Sequence, residues 1–275
     1  MSKRYPAVSG QFYPRDSSSL LAQVSLYIEQ SNVSPSPNEV LAIVSPHAGY
    51  MYSGPTAGCA FARIREHKIK RVFLVGRSHR YLFDGLALCE YDSFITPVGE
   101  FPVDLPSYKD LGEHLPCVIN NNPHLYEHCL EVMLPFLYVS VGIIPIVPIL
   151  FGKEPEKEHY EYGKILASLA KDGDLVVAST DLSHYLPEVQ ANKIDNNTIQ
   201  AVMDKDLDKI ITGIRNESCS MCGAPAVIAA MGYASAFGDY EVRVLDYSTS
   251  AKASGDYSSV VGYMAISFEL NNSNK

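Results

Sequence analysis

Cysteine is sparse in this chain, six residues in 275, whereas small secreted scaffolds that depend on disulfides are far denser in it. Reduced thiols are therefore expected. A lysine and arginine stripe is missing as well. Acidic residues outnumber basic ones 31 to 22, and the densest basic segment, Arg63 to Arg71, is broken by Glu66, so a nucleic-acid backbone is not an expected partner. Behind Lys3 and Arg4 no apolar stretch follows, so the start does not read as a secretory signal, and a cytoplasmic location is expected. The sequence also lacks a Walker loop, a dinucleotide fingerprint and a G-x-S-x-G elbow, which argues against nucleotide-dependent and α/β-hydrolase chemistry. One uncharged run, Val132 to Gly152, has the length of a membrane span. Pro135, Pro145 and Pro148 with Gly142 would break it as a helix, and its flanks Glu131, Lys153 and Glu154 show no positive bias. It reads instead as a buried helix end followed by a buried strand, with no membrane as partner.

Apolar residues at 47% and charged residues at 19% fit an ordinary globular protein. No repeat, low-complexity segment or long linker divides the chain, so one domain over residues 1–275 is expected. Leu20, Leu21, Val24, Tyr27 and Ile28 share one helical face behind a capping stretch at Asp16 to Ser19. Apolar, β-branched runs at 40–44, 72–75, 143–150 and 175–178 read as strands buried on both faces. Helix-like stretches at 56–64, 124–137 and 160–170 separate them. This alternation predicts an α/β sandwich with a mostly parallel central sheet and helices on both faces. A longer helical stretch after Ala191 and two closing strands, 241–247 and 259–268, complete it.

In such sheets ligands bind beyond the carboxyl ends of the strands. Three strand runs lead into histidine, at His47, His79 and His184, which are three of the eight in the chain. One such histidine is usually a surface residue. Three converging imidazoles suit a borderline metal or proton transfer near neutral pH. Near His47, Tyr50 and Tyr52 are candidate donors; the alternative is a tight turn into a helix that begins at Pro55. Asp181, three residues before His184, either orients that ring or caps the following segment. A third metal ligand has several candidates: the carboxylates Asp104, Glu127, Glu131 and Asp181, and the thiols of Cys219-Ser-Met-Cys222, which precede a helix whose amides favour thiolate. Packing alone also accounts for the two thiols. His128 sits on the helix-like stretch, where Glu127 and Glu131, four apart, read as a solvated face. His67, His114, His124 and His159 read as surface.

Several ordered blocks run almost end to end: Arg4 to Pro14, Pro46-His-Ala-Gly-Tyr-Met-Tyr-Ser-Gly54, Gly76-Arg-Ser-His79, Thr96 to Asp104, Glu127-His128, Ser179-Thr-Asp-Leu-Ser-His-Tyr185, Leu245 to Ser250 and Ser254 to Gly262. With them the chain resembles the Memo family, whose bacterial and archaeal members are called AmmeMemoRadiSam system protein B. The resemblance implies a fold similar to class III extradiol dioxygenases, with a metal site at the strand ends. It implies that His47 and His79 are metal ligands, that a cysteine stands where the dioxygenases have a carboxylate, and that His184 takes the acid/base position. The family's cysteine lies in a C-G-x-x-P run. Here Cys222-Gly-Ala-Pro225 is one residue shorter, with Cys219 upstream, and the glycine after Cys222 favours Cys222. Asp181, Tyr50 and His128 join His184 as catalytic candidates. Two imidazoles and a thiolate favour iron or copper, admit zinc and exclude magnesium and calcium. With an open position, O₂ or peroxide activation follows, His184 moving a proton and Asp181 or Tyr50 orienting it. Two functions are expected to compete: a metal-dependent redox enzyme acting on a small molecule, and a binding protein that uses the cleft for a peptide or a metal ion. The family's name comes from a signalling context, which supports the second for some members.

Overall fold

The computed structural model describes residues 2–271. The chain begins with β1 (Lys3–Arg4), α1 (Ser17–Glu29), β2 (Val40–Ser45), α2 (Tyr50–Arg63) and β3 (Arg71–Arg77). Short elements follow: β4 (Leu86–Leu88), β5 (Ser93–Thr96), β6 (Gly99–Pro102), α3 (Ser107–His114), β7 (Cys117–Ile119) and α4 (Asn122–Leu125). Regular alternation resumes with α5 (Leu134–Val141), β8 (Ile146–Phe151), α6 (Lys157–Ser168) and β9 (Asp174–Ser179). The last part holds β10 (His184–Leu186), α7 (Glu188–Met203), α8 (Leu207–Arg215), α9 (Ala224–Ser235), β11 (Tyr240–Thr249), α10 (Ala251–Ser254) and β12 (Val260–Leu270).

The runs of β2, β3, β8 and β9 are buried almost without interruption. They form the parallel centre of the main sheet in the order β2-β9-β3-β8, as strands covered on both faces do. α9, with α6 stacked on it, packs against β2, β3 and β9, and α2 leads a second helical group with α1 and α5. α1 is capped by Asp16, whose carboxylate accepts from the Ser19 N–H at 2.8 Å, and buries Leu20, Val24 and Ile28 on one stripe.

The flanks are antiparallel, which the apolar runs did not reveal. β12 runs antiparallel to β2, β10 and β11, and β4 antiparallel to β8, giving a mixed nine-stranded sheet. A separate three-stranded sheet, β1-β5-β6, was not expected. α2 starts at Tyr50 rather than at Pro55, because the Tyr52 and Ser53 N–H groups already bond to Gly49 O, and Pro55 is carried inside the helix.

The stretch 124–137 is not one helix. The Glu127 carboxylate accepts from the backbone N–H groups of His128 at 2.9 Å and Cys129 at 3.1 Å, competing with helical bonds, and α5 begins only at Leu134. Glu127 and Glu131 are therefore not a solvated face but are 2% and 0% exposed. Glu131 pairs with the buried Arg4 at 2.5 Å and also accepts from Tyr13 Oη at 2.6 Å and from the Ala7 and Val8 N–H groups. Arg4 in turn donates to the carbonyls of His124 and Glu127, stapling the start of the chain to this loop. His124 and His159 are buried too, not on the surface. Among the described residues no helix is long and apolar enough to cross a membrane; the run from Val132 is divided between α5 and β8.

Candidate metal centre

Because β2, β9 and β3 are neighbours, their carboxyl ends lie side by side, where open α/β sheets place ligands. β2 delivers His47, β3 delivers His79, and β9 delivers Ser179 with the segment through Asp181 and His184. The fourth contribution comes from the turn before α9. There the Asp181 N–H donates to Cys222 Sγ at 3.2 Å, the Cys222 N–H to Asp181 O at 3.1 Å, and the Gly223 N–H to Thr180 Oγ1 at 2.8 Å. Gly223 permits this contact, since a Cβ there would stand 2.0 Å from Ser179 O.

Cys222 Sγ lies 3.3 Å from His47 Nε2, and one ligand atom from each of His47, His79 and Cys222 falls within 4.8 Å of the others. Cys219 points elsewhere, against Gly213 of α8.

Hydrogen bonds fix which nitrogen of each imidazole is free. Ser179 Oγ donates its proton to Cys129 O at 2.7 Å, so toward His47 Nδ1, 2.8 Å away, it accepts. His47 therefore carries a proton on Nδ1 and turns Nε2 toward the Cys222 sulfur. His79 Nδ1 lies 2.9 Å from Glu127 Oε1, and the His79 N–H donates to Glu127 Oε2 at 2.7 Å. Burial alone would raise the Glu127 carboxyl, but the His79 bonds outweigh it and hold it far below the usual range. An ionised carboxylate only accepts, so His79 also keeps Nδ1–H and has Nε2 as its remaining ligand atom. Such a carboxylate or hydroxyl behind an imidazole is how metal-binding histidines are usually oriented.

In the free protein, burial raises the Cys222 thiol, but His47 and His79 outweigh burial and hold it well below the ordinary thiol range. Burial lowers both rings, yet Cys222 and Asp181 lift His47, and Cys129, Cys222 and Glu127 lift His79, above the ordinary value. The protons that the imidazoles take in this way are what a cation bound there would replace. Burial and the His47 charge push His128 down to about 3. Its ring centroid is 5.3 Å from that of His47 and 4.9 Å from that of His79, so a third, neutral imidazole flanks the pair.

The remaining sequence candidates are placed unequally. Asp181 is buried and accepts from the His47 N–H at 2.7 Å; it holds the end of β2 in place, and among the described residues no hydrogen bond joins it to His184. His184 is exposed and lines a cavity of about 570 Å³ together with Cys222. The next residue, Tyr185, has φ +61°, an uncommon backbone for a residue with a side chain. Tyr50 does not reach the site. Its hydroxyl donates to Val132 O at 2.6 Å and its ring packs on Phe136, because α2 starts early enough to turn it into the core. Among the third-ligand carboxylates, Asp104 pairs with Arg71 at 2.7 Å and Glu131 with Arg4. Sequence reasoning missed Ser179 and Glu127 as orienting groups, although each stands in a block that carries the family resemblance.

The family model for Memo-like protein matches residues 4–267. A MEMO1 family protein of Archaeoglobus fulgidus is 36% identical over 97% of this chain and 100% of its own length. Another from Aquifex aeolicus is 33% identical over 98% of this chain and 100% of its own, and one from Pyrococcus horikoshii is 32% identical over 96% and 98%. Among solved structures, an uncharacterized protein from Escherichia coli K12 superposes with a TM-score of 0.51 at 12% identity, covering 83% of this chain and 99% of that chain. That likeness concerns the fold alone.

Proposed function

The chain belongs to the Memo family, and from that premise we propose that His47, His79 and Cys222 hold a transition-metal ion, iron or copper in preference to zinc, for redox chemistry on a small organic molecule. The observation that carries this reading is the pair of imidazoles whose Nδ1 atoms are each taken by a partner, leaving Nε2 as the ligand atom of rings grouped with one sulfur. The donor set fits a soft or borderline cation and suits neither magnesium nor calcium. Bound there, iron or copper supplies one-electron chemistry and activation of O₂ or a peroxide.

The chain's own groups do the rest. Ser179 and Glu127 keep the two rings in one tautomer. The Asp181 amide donates to the sulfur, while the Asp181 carboxylate anchors the His47 backbone. His128 stays neutral and covers one side. The substrate occupies the 570 Å³ cavity, where His184 takes up or gives a proton at its imidazole, open to water at the mouth.

The test is elemental analysis of protein purified anaerobically without chelator or affinity metal, beside Cys222→Ala and His47→Ala. Near-stoichiometric iron or copper that disappears in both variants is expected. A metal-free wild type, or full occupancy in Cys222→Ala, would overturn the ligand assignment. His184→Ala is expected to retain the metal and to lose O₂- or peroxide-dependent turnover; metal retained with no such turnover even in the wild type would favour a protein that holds or delivers the ion.

A further inference from the structure

Two arginines beside the centre have no part in holding or orienting its ligands. Arg77 closes β3 two residues before His79, and Arg80 follows His79 directly. Arg77 lines both the 570 Å³ cavity and a second one of about 420 Å³, and the only other residue common to the two linings is Cys222. Arg77 and Cys222 therefore border both spaces.

Within the Arg77 guanidinium the donors are unequally served. Nη2 donates to Glu154, whose side chain is 67% exposed, and such a solvent-facing pair is readily exchanged. Nε is shut away from solvent and has no hydrogen-bond partner. With no accessible surface toward the open cavities, Nε is out of reach of a ligand, and only the Nη ends remain to meet one.

Arg80 is exposed and forms no ion pair among the described residues. The smaller cavity is lined by Arg77, His79, Arg80 and Tyr81 and by no carboxylate; Glu154 and Glu217 lie only along the larger one. In a chain of formal net charge −9 this is a local reversal of sign, of the kind that concentrates an anion. The larger cavity adds apolar walls from Leu186, Ile194, Ile214 and Met221.

We propose that the substrate is an organic anion, an apolar body bearing a carboxylate or phosphate group, with its acidic oxygens taken by Arg77 and Arg80 and its body lying along Ile194, Ile214 and Met221. A guanidinium fork matches either oxyanion in a bidentate manner. Bound in this way, the atoms next to the acidic group come to rest beside Cys222 and His79. The inference builds on the proposed function in treating this ligand as the substrate, but recognition of the anion needs no metal.

Calorimetric titration with benzoate, phenyl phosphate, benzamide and inorganic phosphate, on chelator-treated and on zinc-loaded full-length protein, tests it. The acid of matching chemistry is expected to bind about tenfold or more tightly than benzamide, and the order of benzoate and phenyl phosphate identifies the oxyanion. Arg77→Gln and Arg80→Gln should each weaken that acid by about tenfold, and Arg77→Lys should restore part of the loss. Arg80→Gln changes an exposed loop residue, so it remains informative if Arg77→Gln fails to fold. Equal binding of benzamide, unchanged binding in the folded arginine variants, or no binding of either acid would refute the proposal. Inorganic phosphate binding as tightly as phenyl phosphate would refute the apolar body. If none of zinc, Fe²⁺ and Cu⁺ loads while arginine-dependent binding persists in the chelator-treated sample, the metal assignment fails and the anion site stands; if metal loads and neither acid binds, the anion site fails and the metal assignment stands.

Discussion

Replacing Glu127 by glutamine tests the orientation of His79 with the smallest change of shape. The carboxylate is 2% exposed and meets four donors: His79 Nδ1 at 2.9 Å, the His79 N–H at 2.7 Å, and the His128 and Cys129 N–H groups at 2.9 and 3.1 Å. An amide offers one acceptor end and one donor end, so in either orientation its NH₂ faces donors. Turned toward His79 N–H, it loses that bond; turned toward Nδ1, it drives the imidazole proton onto Nε2, the atom that would bind the metal. Hydrogen bonds to a charged group contribute about 1.5–3 kcal/mol, and changes behind a metal-binding histidine cost about 10–100-fold in affinity, or about 1.4–2.7 kcal/mol. Competition of Zn²⁺ or Co²⁺ between the protein and a chromophoric chelator measures the affinity, and a thermal melt measures the fold. Ser179→Ala should act on His47 in the same direction but less, since only a neutral bond is lost, worth about 0.5–1.5 kcal/mol. A folded Glu127→Gln protein that binds metal as tightly as the wild type would refute this account of His79.

Gly223→Ala should both destabilise the fold, by about 1–3 kcal/mol, and weaken metal binding, because its Cβ would stand 2.0 Å from Ser179 O; a variant with wild-type melting and wild-type affinity would show that the turn has slack. Arg4→Gln breaks a fully buried ion pair with Glu131 and should cost about 3–5 kcal/mol in urea unfolding, with a loss under 1 kcal/mol contradicting its role as a staple. His124 is pushed down by burial to about 4, against 6.5 for the free side chain. The unfolded chain therefore takes up a proton that the folded chain refuses, and stability falls as pH drops from about 6.5 to about 4, by about 3 kcal/mol in all. His124→Gln, which can still donate to Ala87 O as His124 Nε2 does at 3.0 Å, should remove that slope, and an identical pH profile in wild type and variant would exclude His124 as its source.

The strands were legible because burial on both faces leaves an uninterrupted apolar run that needs no partner to be recognised, as 40–44 and 72–75 illustrate. The histidines after them were legible for the same reason, since a residue just past such a strand has few other places to go. Glu127 was not, because i, i+4 spacing describes a face only where a helix exists, and its own carboxylate is what interrupts the helix. Tyr50 was misplaced through the start of α2, which Gly49 O sets five residues ahead of the proline. His124 and His159 looked like surface groups among charged and turn residues, and only the tertiary packing buries them. The pairing of Arg4 with Glu131 joins two isolated charges that no local pattern connects. The antiparallel flanks were hidden because β12 is as thoroughly buried as a parallel strand, and direction leaves no trace in composition.

The position of β12 also governs when the protein can assemble. It lies between β2 and β10, with Ile266 opposite Val44, and Gly262 exchanges backbone bonds with Leu182 and Ser183 on the segment between Asp181 and His184. A nascent chain that has not yet reached residue 260 holds β2 with one bare, apolar edge, the template on which sheets mispair. Contacts so distant along the chain are slow to form, and chains of this size expose sticky intermediates while they wait. Closure of this sheet therefore waits for residues 260–270, and the segment between Asp181 and His184, which Gly262 holds, is tied down only then.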